Sequence, residues 1–299
     1  MTNRICFVAL LLITILIVST SIAEAQDERV KRPAIRKRAE QAEEPAYKND
    51  GRKIVVLEFR GNEKFSSGTI LEFMKYSRQG GSYYKERLEN DLQRVRALLY
   101  ADRGYLRAQF GEPEIEETNE GLRIVIPVEE GLRYRYGEIN VEDATLLSSD
   151  EVIGIIGAKS GEIIKGYSGV QKGLERLKSF YANRGYIQFT AIPRIDYRPT
   201  SPDSQEGIAD VTFEIEEGIM YFIRRIEFTG NLTVSDAEIW SKLRLNIGDV
   251  FNQDALDAAL RRLNEWGRFE KIFEEDCTFN TNEQPRTLDI LIKLKEKHQ

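Results

Sequence analysis

One pattern occurs three times in this chain and limits what it can fold into. Gly81-Ser82-Tyr83-Tyr84 precedes a helical stretch ending Tyr100-Ala101-Asp102-Arg103-Gly104-Tyr105. Gly161-Glu162-Ile163-Ile164 precedes one ending Tyr181-Ala182-Asn183-Arg184-Gly185-Tyr186. Gly248-Asp249-Val250-Phe251 precedes a third, ending Asn264-Glu265-Trp266-Gly267-Arg268-Phe269. The helix-ending glycines recur about every 80 residues, the period of small domains in tandem rather than of a short-repeat solenoid. Each helix before such a glycine carries one apolar stripe: Leu88, Leu92, Val95 and Leu99, then Val170, Leu174, Leu177 and Tyr181, then Leu256, Ala259, Leu260 and Leu263.

Around each stripe the order reads strand, helix, helix, strand, strand. Residues 53–59, 136–141 and 222–228 are β-rich first strands. Ser148 with Glu151, and Ser235 with Glu238, form capping boxes that start short helices. The middle strands are expected over 105–116, 186–197 and 269–279, and the last over 122–128, 211–216 and 288–294. A two-helix crossover lets the first and last strands run parallel, and a turn makes the last two antiparallel. An order that meets both conditions has the last strand central and the middle strand at an edge, with the helices covering one face. The fold class is α+β, three βααββ units over 53–131, 132–218 and 219–296, each a three-stranded mixed sheet. Glu129-Glu130-Gly131 and Glu216-Glu217-Gly218 mark short, semi-rigid junctions.

Residues 1–25 read as a secretory signal peptide, with Arg4, an apolar run over 5–22 and Ala23-Glu24-Ala25 at the cleavage site. An inner-membrane anchor over 5–22 is the alternative. The segment 26–52 is charged and poor in large apolar residues, which marks a disordered linker that could also touch an anionic membrane surface. Beyond it the body is acidic, within a net charge of −6, which argues against nucleic acid as a partner. Cleavage would leave Cys277 without a disulfide partner in the monomer.

Catalytic and metal chemistry has little to work with. The one histidine, His298, is at the tail, so no Ser-His-Asp, Cys-His or zinc arrangement follows. Gly154-Ile-Ile-Gly157-Ala-Lys-Ser-Gly161 lacks P-loop spacing and reads as a helix–helix junction. Carboxylates are numerous, but nothing singles out a catalytic pair. No cofactor is expected. The aromatics at helix ends read as core closure, and the Asn231-Leu-Thr233 sequon as a strand turn.

The repeated strand-helix-helix-strand-strand order, with Gly-x-x-aromatic before the second helix and Gly-Tyr or Gly-x-Phe after it, resembles the POTRA (polypeptide-transport-associated) domain. In the second unit Asn140-Val-Glu-Asp stands where the other units have a Gly-Asn turn. The resemblance implies a periplasmic, outer-membrane-associated, non-enzymatic module of outer-membrane protein assembly or secretion. Its implied mode of action is addition of a partner strand to the exposed middle strand. Transferred to this chain, the partner-binding residues are Tyr105, Leu106, Arg107, Ala108, Gln109 and Phe110; Tyr186, Ile187, Gln188 and Phe189; and Phe269, Glu270, Lys271 and Ile272. The implied partners are unfolded or extended outer-membrane protein segments, a separate outer-membrane barrel subunit and accessory lipoproteins. Family proteins usually continue into a membrane barrel, for which the sequence after residue 296 has no room. The expectation is therefore an accessory without a barrel, or a fragment of a longer insertase. An envelope or division scaffold held by the N-terminal helix is the second reading.

Overall fold

A computed structural model of the chain describes residues 51–201 and 204–297. The leader, the charged segment up to residue 50, Cys6 and His298 lie outside the described residues. In the first unit β1 (Ile54–Arg60) is followed by α1 (Ser67–Phe73), α2 (Lys85–Val95), β2 (Gln109–Phe110), β3 (Glu114–Thr118) and β4 (Gly121–Glu129). The second unit runs β5 (Arg133–Glu142), α3 (Ser149–Ile156), α4 (Lys172–Ala182), β6 (Thr190–Pro199) and β7 (Glu206–Glu216). The third runs β8 (Phe222–Thr229), α5 (Asp236–Leu243), α6 (Gln253–Trp266), β9 (Cys277–Asn282) and β10 (Thr287–Lys293).

The sheets have the orders β1-β4-β2, with β3 also on β4, then β5-β7-β6 and β8-β10-β9. First and last strands pair parallel, and the last two antiparallel. The central strands alternate most cleanly, burying Leu122, Ile124, Ile126 and Val128 in β4 and Leu288, Ile290 and Ile292 in β10. Each unit closes its own core against its two helices. Both capping boxes form at Ser148 and Ser235, where each Ser side chain accepts the N–H three residues on. The Gly154–Gly161 stretch closes α3 and leads toward α4.

Two expectations about the middle strands need correction. The strands begin later than residues 105, 186 and 269: at Gln109, Thr190 and Cys277. The chain leaves the helix layer at a glycine and must cross to the sheet edge before it can pair. Tight turns make that crossing, with Tyr105 N–H on Tyr100 O (3.0 Å) and Ala108 N–H on Tyr105 O (3.2 Å). The second unit repeats them at Tyr186 and Phe189. In the third, the Asn264 side chain holds Ile272 by both its N–H and its C=O, each at 2.8 Å. The alternating apolar residues of these crossings mimic a strand. The second correction is in the first unit, where the edge is split in two around Gly111-Glu112-Pro113.

Candidate partner-binding edges and the joints between units

Each sheet has two edges. The first strands β1, β5 and β8 are bonded on their outer side, at their start, by the segment before the second helix, and the middle strands, β2 with β3, β6 and β9, form the other edge. Beside the first, a groove of about 390 Å³ runs between α2 and the edge, lined by Leu88, Leu92, Arg96, Phe110, Pro113 and Ile115. On the open face of β6, Ile192 is 60% exposed and Arg194 pairs with Glu142 and Glu214.

The fourteen residues expected on these edges divide by location. Gln109 and Phe110 lie in β2. Tyr105, Ala108 and Phe189 pack in their own cores, Phe189 stacked on Tyr181 at 4.2 Å between ring centroids. Tyr186 meets Tyr181 edge-on. Phe269 and Ile272 are buried in the third core, while Glu270 donates its N–H to Lys295 O (2.7 Å) and Lys271 lies over the Phe273 ring.

The other four cross between units. Leu106 belongs to the core of the second unit, and Ile187 packs against the core of the third. The Arg107 guanidinium lies over the ring of Tyr197 in the second unit (5.5 Å to its centroid). Gln188 Oε1 accepts the Tyr221 hydroxyl at 3.0 Å. These residues join neighbouring units.

The rest of the joint is built from the repeated helix end. Gly104 O accepts Tyr134 N–H (2.8 Å), and Gly185 O accepts Tyr221 N–H (3.0 Å). Asp102, two residues before its glycine, accepts the N–H groups of Tyr167 (2.7 Å) and Ser168 (2.8 Å) with one oxygen. It therefore caps the first turn leading into α4, where unpaired amides favour an acceptor. Asn183 holds the same place at the second joint. It accepts Asp254 N–H at 2.9 Å, and Asn252 Nδ2 donates to Asn183 O at 3.0 Å.

A second repeated device was not recognised from the sequence. Glu130 accepts Lys64 N–H (2.7 Å) and the Tyr100 hydroxyl (3.0 Å). Glu217 accepts the N–H groups of Thr145 (2.9 Å) and Leu146 (2.8 Å) and the Tyr181 hydroxyl (2.7 Å). Glu296 accepts those of Thr233 (2.8 Å) and Val234 (2.9 Å) and the Thr233 hydroxyl (2.7 Å). In each unit a glutamate just past the central strand holds the loop before the first helix. In the first two units it is the second member of the Glu-Glu-Gly pair; in the third it stands in Lys295-Glu296-Lys297, without that signal. Burial pulls the Glu217 carboxyl upward, but the bonds from Thr145, Leu146 and Tyr181 outweigh it and hold the group below the usual carboxylate value. The bonds from Val234 and Thr233 do the same for Glu296.

The remaining candidates are structural. Tyr100 and Tyr181 are fully buried, and Asn231 Nδ2 donates to Val234 O (2.9 Å) within the strand turn. Cys277 opens β9 as a buried thiol. Among the described residues no group of His, Cys, Asp or Glu is arranged to hold a metal ion, and no helix is long and apolar enough to cross a membrane.

Comparison with known proteins bears on all three units. The POTRA family, described as a surface antigen variable number repeat, matches residues 53–131, 134–218 and 221–297. Outer membrane protein assembly factor BamA of Nitratidesulfovibrio vulgaris is 24% identical over 263 residues, 83% of this chain and 32% of the relative. Its counterpart in Neorickettsia risticii is 25% identical over 257 residues, 82% of this chain and 33% of the relative. The chain thus spans about a third of the length of these curated relatives. Among solved structures, Haemophilus influenzae BamA POTRA3-5 superposes with a TM-score of 0.68 at 23% identity, covering 82% of this chain and 96% of that one. Three family matches in succession, over most of the chain, show that it belongs to the POTRA family.

Proposed function

We propose that the chain is a periplasmic, non-enzymatic module, associated with the outer membrane, that engages other polypeptides during outer-membrane protein assembly or secretion. The observation that carries this reading is the recurrence of a sheet edge paired on one side only, beside the second helix of each unit, in a POTRA chain. Such an edge offers a row of backbone donors and acceptors to an extended segment. The similarity to outer membrane protein assembly factors supports the same process. The partners are extended outer-membrane protein segments, with a separate barrel subunit and accessory lipoproteins as candidates for stable association.

Each added backbone bond contributes about 0.5–1.5 kcal/mol net, offset by the cost of ordering an extended segment. Single edges therefore bind weakly and reversibly, which suits a transient holding role. Several contacts on one semi-rigid arm gain from effective concentration.

A photoreactive residue placed at Glu116, Arg194 or Asn280, on edge strands, tests this in the full chain. Crosslinks to outer-membrane proteins in envelope extracts are expected from at least one edge position and not from Ser241 on α5. Equal yields at Ser241 and at all three edges would contradict strand addition.

A further inference from the structure

The three edges differ in a way that decides which can accept a strand. Alternate residues along a strand direct their backbone groups to opposite sides, and residues whose side chains share a face direct them the same way. In the second unit Thr200 donates its N–H to Glu206 O at 3.2 Å, in the register of the β6–β7 ladder. Even-numbered residues of β6 therefore bond inward. The outward row is Ala191, Pro193, Ile195, Tyr197 and Pro199. Two of these five have no N–H, an arrangement that protects an edge from pairing. Tyr197 also lies under Arg107 of the first unit.

The first unit breaks its row by another route. Gly111 N–H bonds Pro127 O at 2.9 Å, while Glu114 is opposite Val125. Glu112 and Pro113 together therefore face Ile126. That is a β-bulge, which bends the edge between Phe110 and Ile115 and leaves another position without a donor.

The third unit has neither interruption. Cys277 and Phe279 of β9 pack toward the helices, as Ala191, Ile195 and Tyr197 do in β6. The two strands hold the same place and direction in their sheets. Cys277, Phe279 and Thr281 consequently face outward, and the register is continuous from Cys277 opposite Ile292 to Asn282 opposite Thr287. The start of this edge is also strongly acidic. Burial, and then the carboxylates of Glu274, Asp276, Asp257 and Glu275, push the Cys277 thiol up to about 12. One cation, Lys178 of the second unit, acts on Glu274 against this group.

From the unbroken row and the acidic charge beside it, we infer that strand addition is confined to the third unit. Its occupant is an extended segment of another polypeptide with a basic residue at the Cys277 end. This rests on the strand-addition reading proposed above and narrows it to one edge and one charge type.

The test is amide exchange of the full chain, followed by NMR, with two synthetic probes: Lys-Thr-Val-Thr-Val-Thr-Lys and its counterpart with Glu at both ends. The Lys peptide is expected to protect Cys277, Phe279 and Thr281 and to bind about threefold more tightly at low ionic strength. Ala191, Ile195 and Tyr197 are expected to stay unprotected. In the double variant Pro193→Val and Pro199→Thr, which restores two outward donors, protection should appear along β6. Each restored bond is expected to tighten binding there about two- to tenfold. Protection of β6 in the unaltered chain, or of β3, would overturn the confinement and leave strand addition standing. Equal affinity for both peptides would overturn the charge preference. Protection that grows with chain concentration without peptide would make the occupant a second copy and overturn the assignment. Saturating peptide with no protected edge in either form of the chain would sink strand addition itself.

Discussion

The helix ends of the first two units and that of the third carry the same local motif in different surroundings. Gly104, Gly185 and Gly267 all have positive φ, at +92°, +87° and +75°. A Cβ at Gly104 would come within 2.9 Å of Ile163 Cγ2, and one at Gly185 within 2.9 Å of Val250 Cγ1, both in the following unit. At Gly267 the nearest atom is 3.9 Å away and belongs to its own Glu265. The helix end needs glycine for its conformation in all three cases. The first two also need it for close approach. The plug residues differ in parallel: Leu106 and Ile187 enter the next unit, whereas Glu270 and Lys271 are exposed. One motif thus does two jobs at the joints and one at the third helix end.

The largest test of this contrast is Gly→Ala. At Gly104 or Gly185 the left-handed conformation and the clash add, for an expected loss of about 2–4 kcal/mol in urea denaturation. At Gly267 only the conformational cost remains, about 1 kcal/mol. Equal losses at all three would remove the distinction between joint and end. Next is the plug. Leu106→Ala should cost about 2 kcal/mol, and hydrogen exchange should show the loss in the second unit, whose core Leu106 completes. Lys271→Ala should stay within about 0.5 kcal/mol.

The cap is smaller. Asp102→Ala should lower stability by about 1 kcal/mol, while Asp102→Asn keeps most of it because an amide oxygen can accept the same bonds. Glu265→Ala, at the matching place in the third unit, should have no such effect. It is exposed and caps no helix among the described residues. The smallest expected effect is in acid. Glu217 and Glu296 are held below the ordinary value of 4.5. A carboxylate depressed on folding contributes stability that is fully present above its unfolded value and is lost as pH falls through the folded one. Stability measured against pH should therefore fall below about 4.5, and Glu217→Gln should flatten that fall in the second unit. An unchanged acid slope would mean that the clasp is energetically silent.

The sequence showed the three βααββ units because the apolar stripes of the second helices and the β-rich strands repeat in register. Chain connectivity allowed the last strand to be central, and the structure places it there in all three units. The crossings after the glycines were misread as strands because Tyr105-Leu106 and Tyr186-Ile187 have the apolar character of an edge. Nothing in their local pattern shows that Leu106 and Ile187 are buried by a neighbouring unit rather than by their own. Asp102 and Asn183 looked like ordinary helix-end polar residues for the same reason, since what they cap lies about 65 to 71 residues further on. The interruptions of the edges were half visible: Pro113, Pro193 and Pro199 were in plain sight, but which way each N faces depends on register.

The central claim is that the conspicuous helix-end motif joins the units and leaves binding to the strands beyond it. It is tested most directly by pulsed dipolar distance measurement between nitroxide labels at Glu89 on α2 and Arg261 on α6, with buried Cys277 left in place. A single narrow distribution is predicted, broadened by Gly104→Ala or Gly185→Ala and unchanged by Gly267→Ala. A broad distribution in the unaltered chain, or one insensitive to Gly104→Ala and Gly185→Ala, would contradict it.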